Sequence, residues 1–324
     1  MKARNFTLAA GAALLLGIGI GAVAAQQARQ LTIATGGTGG VYYPLAGGFG
    51  AILAKEVPGL TATAEVTGGS IDNMKLIAAE KVDIAFTQVD TALDAINGRD
   101  KFTGAKVPVR ALTVMYPNVM QIVTLDGSGI TKFEDLKGKR VSTGAPGSGT
   151  EIYAFRLIEA AGLDKDKDMK RERLGASESA NALKDSKVDA FFFVAGVPTS
   201  AITDVAATPG TKMKLIDHDH LVEKVKAKYG PVYSVSVIAA GSYPAQAADA
   251  KMSAVWNIMS VHENMSEDLA YSLTKIMLEK RDDLSKVHKE GGNIKAEIQK
   301  SANAGIPWHP GALKYFKEKG IAVE

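Results

Sequence analysis

The sequence predicts an α/β fold made of two successive units, each a mainly parallel sheet flanked by helices. Three observations predict it. Short apolar runs alternate with helix-period segments over residues 31–97, the same alternation restarts at Arg140 and continues to Ala206, and each unit carries one glycine-rich turn between a strand and a helix. The turns are Thr35-Gly36-Gly37-Thr38-Gly39-Gly40 and Gly144-Ala145-Pro146-Gly147-Ser148-Gly149-Thr150. Alternation of this kind is the pattern of parallel strands covered by helices. A glycine-rich turn entering a helix aims backbone N–H groups and the positive helix end at one point, a place to hold an anion. Two such cradles suggest a small molecule held between two lobes.

In order, residues 31–34 read as a strand and 43–57 as a helix stopped by Pro58-Gly59. A strand follows at 61–66, a helix at 71–80, a strand at 83–87 and a short helix at 91–97 closed by Gly98. The second unit reads as a strand at 140–143, a helix at 150–161 ending at Gly162, a strand at 171–174, a helix at 179–184, a strand at 189–194 and a helix at 199–206. Two β-rich runs break the rhythm, 110–125 with Pro117 inside it, and 233–240. Periodicity leaves them open as ordinary strands or as the two segments that cross between lobes. After residue 245 the spacing predicts mostly helix, over 256–264, 269–278 and 312–319.

The N-terminus begins with Lys2 and Arg4, runs uncharged from Asn5 to Ala28 and reaches Ala22-Val23-Ala24-Ala25. A basic start, an apolar stretch and small residues at a cleavage point predict a signal peptide over residues 1–25. Its loss leaves 36 basic and 35 acidic residues, a net charge of +1. Near-neutrality argues against a nucleic-acid partner. With no cysteine in 324 residues, disulfides, thiolate metal sites and thiol nucleophiles are excluded, as is a lipid anchor on cysteine. The expectation is a monomer free in an extracytoplasmic space, most simply a periplasm.

Neither turn fits a nucleotide. The third glycine of a dinucleotide fingerprint would fall at Tyr42, and the lysine of a phosphate loop is replaced by Thr150-Glu151. A carboxylate asks for less: a few N–H donors, hydroxyls and a helix end equivalent to roughly half a charge. Thr38, Ser148 and Thr150 offer hydroxyls, and Gly39, Gly40, Gly147 and Gly149 let the backbone approach closely. Ser70 with Asn73 fits an N-terminal capping arrangement, Asn73 facing either solvent or a cleft. Gln88 ends an apolar strand at its carboxyl end, where open α/β sheets bind ligands. Asp217-His218-Asp219-His220 looks like a metal cluster, but at a helix start its members point apart, so no metal and no cofactor is expected. No nucleophile elbow stands out, and an enzyme is not expected.

Several segments together resemble a known family. They are Thr35 through Leu45 in the first turn, Gly69-Ser70-Ile71-Asp72-Asn73, Val82 through Asp90, the second turn, and Ile306-Pro307-Trp308-His309-Pro310-Gly311-Ala312. The chain resembles the TAXI family, the extracytoplasmic solute receptors of TRAP transporters. The resemblance implies a periplasmic binding protein of two α/β lobes joined by strand hinges, with lobe 1 at residues 26–116 and 239–324 and lobe 2 at 117–238. It implies a small carboxylate such as glutamate or 2-oxoglutarate, and a membrane permease as partner. Carried over by position, it implies ligand contacts from Thr38, Gly39, Gly40, Tyr42, Asn73 and Gln88 in one lobe, and from Ser148, Gly149 and Thr150 in the other. The motifs contain no arginine to balance a second carboxylate, which leaves open a monoanion or a zwitterion met by Gln88 or Asp90. Two rivals are a binding module feeding a sensor and an enzyme acting on a small organic acid.

Overall fold

The computed structural model describes residues 29–324, so the expected signal peptide lies outside the described residues. The first unit runs β1 (Arg29–Ala34), α1 (Tyr42–Glu56), β2 (Leu60–Glu65), α2 (Ser70–Ala78), β3 (Ile84–Gln88) and α3 (Val89–Asn97). Gly98 closes α3 at φ 64°, in the left-handed region that glycine enters without a steric penalty. β1 pairs in parallel with β2 on one side and β3 on the other. Leu31, Ile33 and Phe86 are fully buried, as expected of strands covered on both faces.

β4 (Val109–Leu125) follows, and then the second unit: β5 (Arg140–Ser142), α4 (Gly149–Ala160), β6 (Lys170–Glu172), α5 (Ala176–Lys184), β7 (Ala190–Ala195) and α6 (Ser200–Ala207). β5 pairs in parallel with β6 and β7. The chain continues through β8 (Met213–Leu215), α7 (Val222–Tyr229), β9 (Tyr233–Ile238) and β10 (Ala250–His262), and ends in α8 (Glu267–Glu279), α9 (Arg281–Val287), α10 (Ser301–Ala304) and α11 (Pro310–Glu318).

Two long antiparallel strands tie the parallel halves into one ten-stranded sheet, eight strands in the order β2-β1-β3-β10-β4-β7-β5-β6 with β8 paired to β4 and β9 to β10. The first part of β4 lies against β10, from Arg110 opposite Val261 to Val119 opposite Ala254, and its last part lies against β7, from Val119 opposite Ala195 to Thr124 opposite Ala190. β10 pairs first with β9 and then with β3, Asn257 standing opposite Gln88. The 233–240 run thus becomes β9, which lies on the first half of β10, and β10 is the strand that reaches the first unit. Pro117 faces Trp256 where the register slips between Trp256 and Ile258. A proline gives the ladder no N–H, and a bulge beside it absorbs the irregularity.

The helix expected over 256–264 is a correction: residues up to His262 are strand. Ala254, Val255, Ile258, Met259 and Val261 are buried on both faces of a central strand, and such a run cannot be told from a buried helix by spacing alone. The Pro307-Trp308-His309 segment pins the C-terminal helices to β4. Ala111 N–H donates to Pro307 O at 3.0 Å, His309 N–H donates to Ala111 O at 2.9 Å, and His309 Nδ1 caps α11 by accepting from Gly311 N–H. Among the described residues no helix is long and apolar enough to cross a membrane.

Candidate functional site

Both glycine-rich turns end at the cleft between the units, held there by local hydrogen bonds. In the first, the Thr35 N–H and hydroxyl both donate to Glu65 O, at 3.1 and 2.6 Å. Asn73 braces the same point from below: its amide donates to Thr35 O and Phe86 O at 2.6 and 2.8 Å, and its oxygen accepts from the Thr67 hydroxyl at 2.6 Å. In the second turn, Gly144 takes φ 104°, and a Cβ there would come within 2.8 Å of Thr150. Ser148 caps α4, its hydroxyl accepting from Glu151 N–H at 3.1 Å and donating to Ala145 O at 2.6 Å.

The units touch across the cleft. Gly147 O accepts from the N–H groups of Ile71 and Asp72 at 3.1 and 3.2 Å, so α2 is capped by the opposite turn. Gly39 O accepts from the Ser200 hydroxyl and Ala201 N–H at 2.9 and 3.2 Å. Between these contacts lies a cavity of about 60 Å³, lined by the first turn and the start of α1, by Ser70 and Gln88, by Tyr116 and Asn118 of β4, by Ser148 to Thr150, and by Phe193 to Ala195. A water needs ~10–15 Å³ on this scale, so the space suits a small solute.

The lining holds no Lys, Arg, His, Asp or Glu among the described residues. Its positive potential comes instead from two helix starts. The first turn of α1 carries no acid, and the one acid in the first turn of α4, Glu151, is buried and drawn aside by Arg173 at 2.6 Å and Arg171 at 3.2 Å. In these first turns Pro44 has no N–H and the Glu151 N–H is taken by Ser148, which leaves the N–H groups of Tyr42, Tyr43, Gly149 and Thr150 without intrahelical partners and available to a ligand. Gln88 Oε1, Tyr116 Oη and Asn118 Oδ1 are buried without a hydrogen-bond partner, which costs ~1–3 kcal/mol apiece until something pairs with them. Burial pushes the phenols of Tyr42 and Tyr116 well up, so both keep their protons; Tyr42 donates to Asn257 Oδ1.

Of the expected contacts, Gly40, Tyr42, Gln88, Ser148, Gly149 and Thr150 meet at this cavity. Three do not. Thr38 is exposed and, with Gly39, lines a separate groove beside α5 and α6. Gly39 is turned there by its bonds to Ser200 and Ala201, and a Cβ on it would stand 2.3 Å from Ser177 Oγ. Asn73 is corrected too, because its carboxamide is spent on Thr35, Phe86 and Thr67. The capping expected of Ser70 is absent: its hydroxyl accepts from Gln88 N–H at 3.1 Å and lines the cavity. Sequence reasoning missed Tyr116, Asn118 and Phe193. The first two flank Pro117, and Phe193 lies near the carboxyl end of β7, where the rule that singled out Gln88 applies equally.

The histidine-aspartate run forms no cluster. Asp217 accepts from Lys251 N–H, His218 is buried against Ile216 and Ser253, and His220 faces Glu134.

Residues 33–320 match the NMT1-like family. The chain belongs to that family. Among solved structures, the binding protein component of an ABC phosphonate transporter from Pseudomonas aeruginosa superposes with a TM-score of 0.55 at 13% identity, over 82% of this chain and 79% of that one. A protein from Bordetella bronchiseptica RB50 superposes with a TM-score of 0.51 at 15% identity, over 89% and 88%. This NMT1-like chain therefore has the two-lobed fold of periplasmic binding proteins, with the cavity at the junction of its lobes.

Proposed function

We propose that this chain is an exported solute receptor that closes on one small carboxylate and passes it to a membrane permease. One observation carries the reading: helix starts from both lobes converge on one uncharged cavity in which Gln88 Oε1, Tyr116 Oη and Asn118 Oδ1 are buried without partners. The carboxylate sits on the N–H groups at the starts of α1 and α4, while Gln88, Tyr116 and Asn118 meet the rest of the solute. Closure expels water, which strengthens each of these contacts, and the ligand's preference for the closed form drives the change. The lobes divide within β4 near Pro117 and within β10 near Trp256, where each strand passes from one set of partners to the other, so β4 and β10 are the hinges and the return boundary expected at 239 moves into β10. The receptor works in a periplasm after loss of residues 1–25.

The glycine-turn segments and the Trp308 segment support a TAXI-type receptor, whose permease draws on an ion gradient. A thermal-shift screen of small acids, followed by calorimetry, tests the receptor reading: a ligand at a hundred times its Kd adds ~2.7 kcal/mol. Uptake of that ligand by membrane vesicles carrying the partner permease tests the coupling. Uptake that follows a sodium gradient without ATP supports the TRAP assignment, and uptake that requires ATP overturns it.

A further inference from the structure

The chemistry and size of the cavity narrow the solute class beyond the carboxylate reading, on which this inference rests. Two helix starts offer about half an elementary charge each, enough to balance one carboxylate. Nothing in the lining balances a second. The guanidinium groups on α4 and on the β6 strand and its exit are committed, Arg156 to Asp90 and Asp94, and Arg171 and Arg173 to Glu151. Nor does the lining carry a carboxylate to meet an ammonium group. Asp90 accepts from Arg156 at 3.1 Å and from the Tyr233 hydroxyl at 2.9 Å. Glu290, packed with Tyr116 around Gly196, accepts from Val197 N–H at 2.8 Å and the Asn293 amide at 2.6 Å.

What the lining does offer is neutral. Gln88, Tyr116 and Asn118 are 3%, 0% and 1% exposed, and each has a buried oxygen without a partner. Amides and phenols both donate and accept, so they suit an uncharged polar group such as a hydroxyl, a carbonyl or an amide. An ionised group placed among them would lose its water without gaining a counter-charge. Size agrees with charge: at about 60 Å³ the cavity is only a few times the ~10–15 Å³ that a single water requires, which favours a small solute.

We propose that the solute is a small monocarboxylate, on the scale of a three- or four-carbon hydroxy or keto acid, carrying one negative charge and no other ionised group. This departs from the glutamate and 2-oxoglutarate that the family resemblance implies.

The test is calorimetry on the full mature chain with a set matched in size and differing in charge: lactate and pyruvate as monoanions, malonate as the dianion, alanine as the zwitterion, with glutamate and 2-oxoglutarate alongside. The expected result is that lactate or pyruvate binds at least about ten-fold more tightly than malonate, alanine and both larger acids, a difference of 1.4 kcal/mol or more. If malonate, alanine, glutamate or 2-oxoglutarate binds as well as or better than the monoanions, the inference is overturned while the carboxylate receptor stands. If no acid in the set binds, both fall.

Discussion

Arg156 on α4 reaches Asp90 on α3 at 3.1 Å, an ion pair between the two lobes whose side chains are 6% and 1% exposed. Asp94 joins the same guanidinium, and Tyr233 donates to Asp90 and accepts from Arg156 at 2.5 Å. Burial alone would lower the arginine's pKa, but Tyr233, Asp90 and Asp94 outweigh it and raise it, so the charge stays. A buried pair of this kind is weak evidence for stability as a whole, yet removing one partner strands the other. Asp90→Ala is expected to lower stability by about 3 kcal/mol, and Asp90→Ala with Arg156→Met to recover much of that loss. Urea denaturation checks it; an Asp90→Ala variant within about 0.5 kcal/mol of the parent, the level of an ordinary surface change, would refute this role for the pair.

Gly149 tests whether Gln88 belongs to the ligand site. A Cβ at 149 would stand 2.3 Å from Gln88 Nε2 and 2.6 Å from its Cδ, so the flexible amide must swing out of the cavity. The backbone at 149 is the first turn of a helix, where a side chain is otherwise tolerated. Gly149→Ala should therefore weaken carboxylate binding by about 1–3 kcal/mol, the worth of a lost buried hydrogen bond, while the melting temperature of the free protein stays close to that of the parent. Unchanged affinity by calorimetry would remove Gln88 from the site.

The parts of the site visible in the sequence were those fixed by local chemistry. Ser148 caps α4 because it directly precedes that helix, and Gln88 ends a strand whose apolar run announces its direction. The parts that were hidden depend on distant partners. Tyr116 and Asn118 sit in a seventeen-residue strand, and their environment is set by how β4 leaves β10 for β7 around Pro117. Gly39 looks the same in sequence as Gly40, but Ser200 and Ala201 at the start of α6 bond its carbonyl and turn it into a contact between the units, while its neighbour Thr38 is left exposed. The misread segment at 256–264 has the same origin: a strand buried on both faces loses the alternation that would identify it.

Asn73 separates a brace from a ligand contact. Its three hydrogen bonds hold the ends of β1 and β3, and its side chain is fully buried. Asn73→Ala is expected to cost about 1–3 kcal/mol of stability from the lost amide bonds to Thr35 O and Phe86 O, the Thr67 hydroxyl keeping Thr35 O as an acceptor at 3.2 Å. Asn73→Asp is expected to cost more, because its carboxylate would face two carbonyl oxygens. A urea titration that found Asn73→Ala as stable as the parent, with only its ligand affinity reduced, would return the residue to the binding site.

His218 gives the fold a dependence on acid. It is fully buried, Nδ1–H donates to Ile216 O at 2.9 Å, and Nε2 accepts from Ser253 N–H at 3.1 Å. A second proton would land on Nε2, away from water, where the Ser253 N–H already points and only the Ser253 hydroxyl, at 2.9 Å, could accept it. Burial accordingly lowers the pKa from 6.5 to about 4, despite the Ile216 carbonyl and the neighbouring Asp217 and Asp219. Between these values the unfolded chain holds more protons than the folded one, so stability is complete above pH 6.5 and falls as the pH drops toward 4. The full loss is about 3 kcal/mol, at 1.36 kcal/mol per pKa unit. His218→Gln should be less stable than the parent at neutral pH yet lack this component of the acid dependence, so the gap between the two narrows below pH 6.5. Denaturation midpoints measured for both across that range decide the matter, and parallel curves would show that His218 does not carry the effect.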